Sequence, residues 1–267
     1  MLKITRGNSD EDRRIDDLTL DNYVATNSEP TLKEVVYLIP AYREKDNIQN
    51  VVAGLPKMLL GHDCSTVVVV DGDDDGTYDL AIKAGAKVCV APVNRGQGAV
   101  LRVGYKIASK FGADYILTVD ADGQCDPSDF TEILKPLIEE GCDLVLGSRV
   151  KGQNLTKDIT RRFGVTFFAK LITFLVGQQL TDTANPLRAM TAQMASSLTL
   201  TQNQFQASEV IIDAILNGYM VVERPMTMLM RAKGTSKKGK NFTYGYNYFK
   251  AVINTYLREK FKKSNSF

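Results

Sequence analysis

The chain has 267 residues, of which 44% are hydrophobic and 24% charged, with a formal net charge of +2. That composition suits one large globular α/β domain, or one with appendages, and excludes collagen-like, mucin-like and wholly disordered classes. So small a net charge names no partner by itself.

In chain order, residues 1–33 are polar, with an acidic cluster of Asp10, Glu11, Asp12, Asp16 and Asp17. They read as an extension, in part disordered, with Leu18 and Leu20 the residues available to dock. VVYLIP (35–40) reads as a buried strand, and residues 45–59 carry Ile48, Val51, Val52, Leu55 and Leu59 at helical spacing. VVVVD (67–71) is a second strand, 77–84 a short helix, AKVCVAP (86–92) a third strand and 97–111 a helix. DYILTVDAD (114–122) is a fourth strand ending in acids, Pro127 opens a helix, and Asp143–Gly147 is a fifth strand. Beyond Gly147 a helix is predicted over 161–177, another near 206–217, a strand near 219–224, a Gly/Lys-rich loop at 233–240 and a final helix from about 244. Strand–helix alternation of this kind predicts a mainly parallel sheet flanked by helices, with ligands at the carboxyl ends of its strands.

Val165–Val176, interrupted by Lys170, is shorter than the ~20 residues of a bilayer span, and the N-terminus lacks the apolar core of a signal peptide. The expectation is a cytoplasmic protein, peripheral at most to a membrane. Cys64, Cys89, Cys125 and Cys142 form no CxxC pair and read as reduced thiols. His62 is the only histidine and falls in a predicted loop, so any acid, base or metal ligand is expected to be a carboxylate.

Asp120-Ala121-Asp122 is followed by Gly123-Gln124. Two carboxylates one residue apart at a strand end can share a hard divalent cation with two phosphates; the alternative is a solvated acidic turn capping the helix at Pro127. Asp71, at a second acidic strand end, favours the cation. Asn94-Arg95-Gly96-Gln97-Gly98 opens a helix whose N-terminus suits an anion, or forms a tight turn packing that helix on the sheet. It lacks the third glycine of a nicotinamide-cofactor fingerprint. Arg149, closing Gly147-Ser148-Arg149, suits a phosphate or a surface salt bridge. Arg231, Ser236 and Lys237 supply a cationic loop or a solvated basic tail.

Taken together, several segments resemble family-two glycosyltransferases with the GT-A fold, and among them the dolichol-phosphate mannosyltransferase and polyprenyl-phosphate glycosyltransferase group. They are Leu38–Ile48, Val69–Asp71 with Asp75–Thr77, Asn94–Gly98, Asp120–Gln124, Gly147–Arg149, Thr181–Thr183 with Arg188–Met190, Gly218-Tyr219, and Gly234–Lys237. The resemblance runs over about residues 35–240. It departs after Asp71, where the acidic stretch is one residue shorter and lacks a serine, and at Asn185-Pro186-Leu187, where many members have Gly-Phe. Many relatives also carry C-terminal membrane helices, which this sequence does not show.

The resemblance implies a GT-A domain over 34–240, between the extension (1–33) and a basic amphipathic helix (241–267). It implies an inverting hexosyltransferase using a UDP- or GDP-sugar. Pro40, Ala41, Tyr42, Glu44 and Asp71 would line the nucleoside pocket, with Asn94, Gly96 and Gly98 in the same donor site. Asp120, Asp122 and Gln124 would hold Mg²⁺ or Mn²⁺. Arg149, Arg231 and Lys237 would contact donor or acceptor phosphates, and Asp182 is the candidate base, with Asp122, Asp182 and Arg149 the catalytic set. The expected acceptor is a polyprenyl phosphate. Alternatives are a modified DNA base or another hydroxyl acceptor, and a non-catalytic nucleotide-sugar-binding scaffold. A lipid acceptor requires a membrane visit, for which the aromatic helices at 161–177 and from 244, both carrying cations, either lie on an anionic surface or pack on the core.

Overall fold

Val35–Ala41 (β1) is buried at every position, as only a central strand covered on both faces can be. The computed structural model describes residues 9–72, 75–156, 159–231 and 242–264. In chain order the elements are α1 (Asp10–Thr26), β1, α2 (Ile48–Ala53), β2 (Met58–Leu59), β3 (His62–Val70), α3 (Thr77–Lys83), β4 (Lys87–Val90), α4 (Gln97–Lys110), β5 (Tyr115–Thr118) and α5 (Phe130–Glu139). There follow β6 (Leu144–Asn154), α6 (Ile159–Val176), β7 (Arg188–Thr191), α7 (Ala192–Ser197), α8 (Gln206–Leu216), β8 (Val221–Met228) and α9 (Phe242–Ser264). Among the described residues the sheet order is β2-β3-β1-β5-β7-β6-β8, with β4 also pairing β3.

Strand alternation divides the core in two. Val36, Leu38, Val67 and Val69 face Tyr23 of α1, α4, α8 and α9. Val35, Tyr37, Ile39, Val68 and Val70 face α2, α3 and α5. β1 pairs β3 and β5 in parallel, so Ala41, Val70 and Thr118 end at one edge of the sheet. The mainly parallel sheet holds, with one insertion that the alternation does not foretell. β7 lies antiparallel between β5 and β6.

Three further expectations are corrected. Where composition predicts a polar extension, Ser9 caps a 17-residue helix. Its buried face is Asp12, Asp16, Thr19 and Tyr23, at helical spacing but mostly polar, while Leu18 is exposed. A hydrophobic pattern does not register such a face. The helix over 45–59 is confined to α2, because Gly54 closes it and the chain turns back as the β2–β3 hairpin. Leu60 and Gly61 both take positive φ there, as a two-residue hairpin turn requires. His62 therefore opens a strand rather than sitting in a loop, with Nδ1 3.4 Å from Glu34. All four cysteines are free thiols.

Candidate active site

Above the carboxyl ends of β1, β3 and β5 lies a cavity of about 610 Å³. Pro40, Ala41, Tyr42 and Glu44 line it from the end of β1, and Asp71 from the end of β3. Asn94 and Gly96 line it from the turn before α4, Asp120 and Asp122 from the turn after β5, and Arg231 from beyond β8. These ten residues, scattered over the sequence, meet because parallel strands end together.

Several are held by specific contacts. The Glu44 backbone N–H donates to Thr77 Oγ1 (2.9 Å), and Thr77 Oγ1 donates to Asp75 (2.5 Å), so the Asp75-Gly76-Thr77 turn fixes the loop after β1. Asp71 is buried, and its two carboxylate oxygens accept the backbone N–H groups of Arg95 (2.9 Å) and Gly96 (2.8 Å). Burial raises its pKa above the ordinary carboxylate value, against the opposing pull of those amides and of the Arg95 charge. Asp71 lines the cavity, as the family resemblance implies, and its carboxylate also clamps the turn before α4. Next to it, Gly72 is obligatory, since a Cβ there would lie 2.3 Å from the Asn94 nitrogen.

In the acidic turn after β5, Asp120 accepts from Gln97 Nε2 at 2.8 Å. Asp122 accepts from the Gln124 backbone and from Arg231, at 2.5 Å. Gln124 donates its side-chain amide to the Leu229 carbonyl, and the Leu229 N–H returns a bond to the Gln124 carbonyl. That reciprocal pair carries Arg231 onto Asp122.

Four carboxylates (Glu44, Asp71, Asp120 and Asp122) and one guanidinium (Arg231) line the cavity. A diphosphate entering it meets net repulsion unless a cation enters too. Among the described residues no group of three or more His, Cys, Asp or Glu could hold a metal ion. Two carboxylates on one turn, completed by phosphate and water oxygens, nevertheless match what Mg²⁺ takes from a protein. Asp120 and Asp122 therefore fit the expected ion. Gln124 does not line the cavity and would contribute only its side-chain oxygen.

Other expected residues stand elsewhere. Arg149 and Asp182 lie outside the cavity lining, against each other. Arg149 Nε and its second terminal nitrogen donate to Asp182 at 2.6 and 2.7 Å, and the Arg149 backbone N–H donates at 3.1 Å. With the Ala184 N–H also bonded at 3.3 Å, both oxygens of Asp182 are engaged. This is a buried bidentate ion pair, set apart from the residues that line the cavity. Gly98 does not line the cavity either. Its N–H donates to the Asn203 carbonyl, and a Cβ would lie 2.3 Å from the Gln202 carbonyl oxygen, so it admits a neighbouring chain segment, not a ligand. Lys237 and Ser236 lie outside the described residues.

That neighbouring segment is the part sequence reasoning misses. Gln204, Phe205 and Gln206, with Tyr244 and Asn247 of α9, form one wall of the cavity. Phe205 takes φ +62°, rare for an aromatic residue, and its ring packs on Tyr244 and Tyr248. The fully buried Glu209 accepts from the Thr201 and Gln202 backbones, and Arg258 of α9 binds Glu209 at 2.7 Å. The one signal available in sequence is an acid, Glu209, inside an apolar helix; the positive φ of Phe205 is visible only in the fold.

Residues 37–198 match Glycosyl transferase family 2. The chain is 33% identical over 227 residues to an uncharacterized protein of Methanocaldococcus jannaschii, covering 82% of this chain and 91% of that one. It is 30% identical over 248 residues to the UDP-N-acetylglucosamine–dolichyl-phosphate N-acetylglucosaminyltransferase of Methanococcus voltae, covering 83% and 95%. It is 27% identical over 235 residues to a dolichyl-phosphate hexose transferase of Haloferax volcanii, covering 88% and 99%. Glucosyl-3-phosphoglycerate synthase from Mycobacterium tuberculosis, solved with Mg²⁺ and uridine diphosphate, superimposes with a TM-score of 0.64 at 18% identity, covering 92% of this chain and 83% of that one. The last likeness is one of fold, the GT-A fold.

Proposed function

The chain belongs to glycosyl transferase family 2, and from that premise we propose that it transfers a sugar from a UDP- or GDP-sugar to a polyprenyl phosphate, with inversion at the anomeric carbon. The observation that carries this reading is the pair Asp120 and Asp122, facing Arg231 in a cavity with an excess of carboxylates. The names of the Methanococcus and Haloferax relatives support a dolichyl-type phosphate as acceptor.

In the reaction, an acceptor phosphate oxygen bonds to the anomeric carbon while that carbon's bond to the nucleotide's terminal phosphate oxygen breaks. The bonding pair leaves with the nucleoside diphosphate. Asp120 and Asp122 would hold Mg²⁺ or Mn²⁺, which would supply charge neutralisation for that leaving group. Arg231 reaches the same turn and adds a guanidinium to it. Tyr42, Pro40 and the Phe205 wall line the cavity that would take the nucleoside. A phosphate acceptor is anionic at neutral pH and needs no base. The engagement of both Asp182 oxygens by Arg149 and Ala184 therefore favours it over a hydroxyl.

The acceptor also implies contact with a membrane surface. Among the described residues no helix is long and apolar enough to cross a membrane. Phe168 of α6 packs edge-on against Tyr248 of α9 at 4.3 Å, joining the two helices. Their outer faces expose Phe167, Phe174, Tyr246, Phe249, Leu257 and Phe261. Lys170, Lys250 and Lys260 are exposed on the same helices. This aromatic, cationic face suits an anionic lipid surface. Co-sedimentation with anionic vesicles at low salt is expected, and its absence overturns that part of the reading.

The direct test incubates the protein with labelled UDP- and GDP-sugars, Mg²⁺ or Mn²⁺, and a polyprenyl phosphate. Label entering the organic phase, lost with Asp122→Asn, is expected. Label entering only protein or staying in the aqueous phase refutes the acceptor.

A further inference from the structure

The helix α1 precedes the segment that matches the family, which begins at residue 37. Its N-terminal half carries two buried carboxylates, Asp12 and Asp16. Both meet arginines from the turn before α4 and from α4 itself, which packs on the same face of the sheet as α1. Arg95 spans them, with one terminal nitrogen 3.2 Å from Asp12 and the other 2.7 Å from Asp16. Arg102 of α4 approaches Asp16 through Nε at 2.7 Å and through a terminal nitrogen at 3.1 Å. Two carboxylates face two guanidiniums, each of the four less than a tenth exposed.

Arg95 is bound from both sides. Its guanidinium is held by α1, while its own backbone N–H and that of Gly96 hold the Asp71 carboxylate at 2.9 and 2.8 Å. Asn94 donates from the same turn to the Asp71 carbonyl at 3.2 Å. Asp71, Asn94 and Gly96 all line the cavity. The contacts thus form one path from α1 through Arg95 to the cavity wall.

The C-terminal half of α1 does something separable. Asn22 accepts the Val90 N–H at 2.8 Å, and Thr26 and Asn27 donate to the Val88 carbonyl at 3.0 Å, so they cover the open edge of β4. One half of the helix seals the sheet and the other grips the turn beside the cavity.

We propose that Asp12 and Asp16 are positioning residues for the donor, acting through Arg95 to hold the Asn94–Gly96 turn against Asp71. The donor half of this inference rests on the reading of the cavity as a nucleotide-sugar site; the grip on the turn does not. Two full-length variants test it, Asp12→Asn/Asp16→Asn and, as a control for helix docking, Asn22→Ala/Thr26→Ala. Hydrogen exchange at the Arg95 and Gly96 amides reports the grip without any ligand. It is expected to accelerate at least tenfold in the first variant and less than threefold in the second, at matched loss of melting temperature. Titration with UDP and GDP in the presence of Mn²⁺ reports the donor. The first variant is expected to weaken binding at least tenfold and raise donor KM more than it lowers kcat, with the control within twofold of the parent. Asp16→Glu, which keeps the charge, is expected to recover part of the loss. If Asp12→Asn/Asp16→Asn does not fold, Asp12→Asn alone carries the same comparison against the control. Unchanged exchange at the two amides, or equal effects of both variants, overturns the inference. Accelerated exchange with no nucleotide bound even by the parent protein refutes the cavity reading and the donor role, and leaves the grip standing.

Discussion

Substituting Asp182→Asn removes the charge facing Arg149 and converts one acceptor oxygen to a donor. Asp182 is 1% exposed and Arg149 7% exposed, and three nitrogens of Arg149 donate to the carboxylate at 2.6 to 3.1 Å. Breaking a buried pair of this kind from one side costs about 3–5 kcal/mol, because the partner charge is left in the interior. At roughly 2–4 °C per kcal/mol for a chain of this size, the melting temperature should fall by about 6–20 °C. Replacing both partners, as Arg149→Met/Asp182→Leu, should return most of that stability, since no charge is then stranded. The assays are thermal and urea unfolding of both variants, with sugar transfer to a polyprenyl phosphate measured well below the Asp182→Asn transition. A folded Asp182→Asn protein that keeps transfer within a few-fold agrees with the ion-pair role. Stability within about 1 kcal/mol of the parent, together with a loss of the ~10²–10⁴-fold a general base supplies, refutes it and restores Asp182 as the base for a hydroxyl acceptor.

Three other outcomes are expected. Asp12 is held below its ordinary pKa of 3.8: burial alone would raise it, but hydrogen bonds from Ser9, Asn203 and Arg95 and the Arg95 charge outweigh that. A carboxyl depressed on folding stabilises fully above the unfolded value and loses that contribution as pH falls through the folded value. Urea midpoints should therefore drop below about pH 4 more steeply in the parent than in Asp12→Asn, and parallel curves would argue against it. Gly98→Ala drives a methyl to 2.3 Å from the Gln202 carbonyl oxygen, so about 1–3 kcal/mol of stability should be lost. Donor KM should rise as the Gln204–Phe205 wall shifts, and an unperturbed KM would show that the wall does not touch donor. Chelation by EDTA should abolish transfer, with Mg²⁺ or Mn²⁺ restoring it in the parent but not in Asp122→Asn; full activity in EDTA would exclude the ion from the reaction.

The strands that build the sheet were legible because they are buried on both faces. VVYLIP and VVVV record that burial as continuous apolar runs, and a run of that kind needs no knowledge of its neighbours. The carboxylates at their ends, Asp71, Asp120 and Asp122, were legible for the same reason, since a parallel sheet brings its strand ends to one edge. All three line the cavity. Lys237 was legible as a cation, and its position lies outside the described residues.

Sequence alone thus determined the family, the sheet and the acidic turn, all written in local patterns of hydrophobicity and short motifs. Tertiary structure alone decided which charges pair. Asp16 buries itself against Arg95, 79 residues away, and Asp182 against Arg149, 33 residues away. Neither burial leaves an apolar trace, so in sequence α1 reads as a polar extension and nothing marks Asp182 as the partner of Arg149. The Phe205 wall depended likewise on Gly98, Glu209 and Arg258 meeting across three elements. Burial by hydrophobic residues is recorded one residue at a time. Burial of a charge is permitted only by its partner, and that partner is known only once the chain has folded.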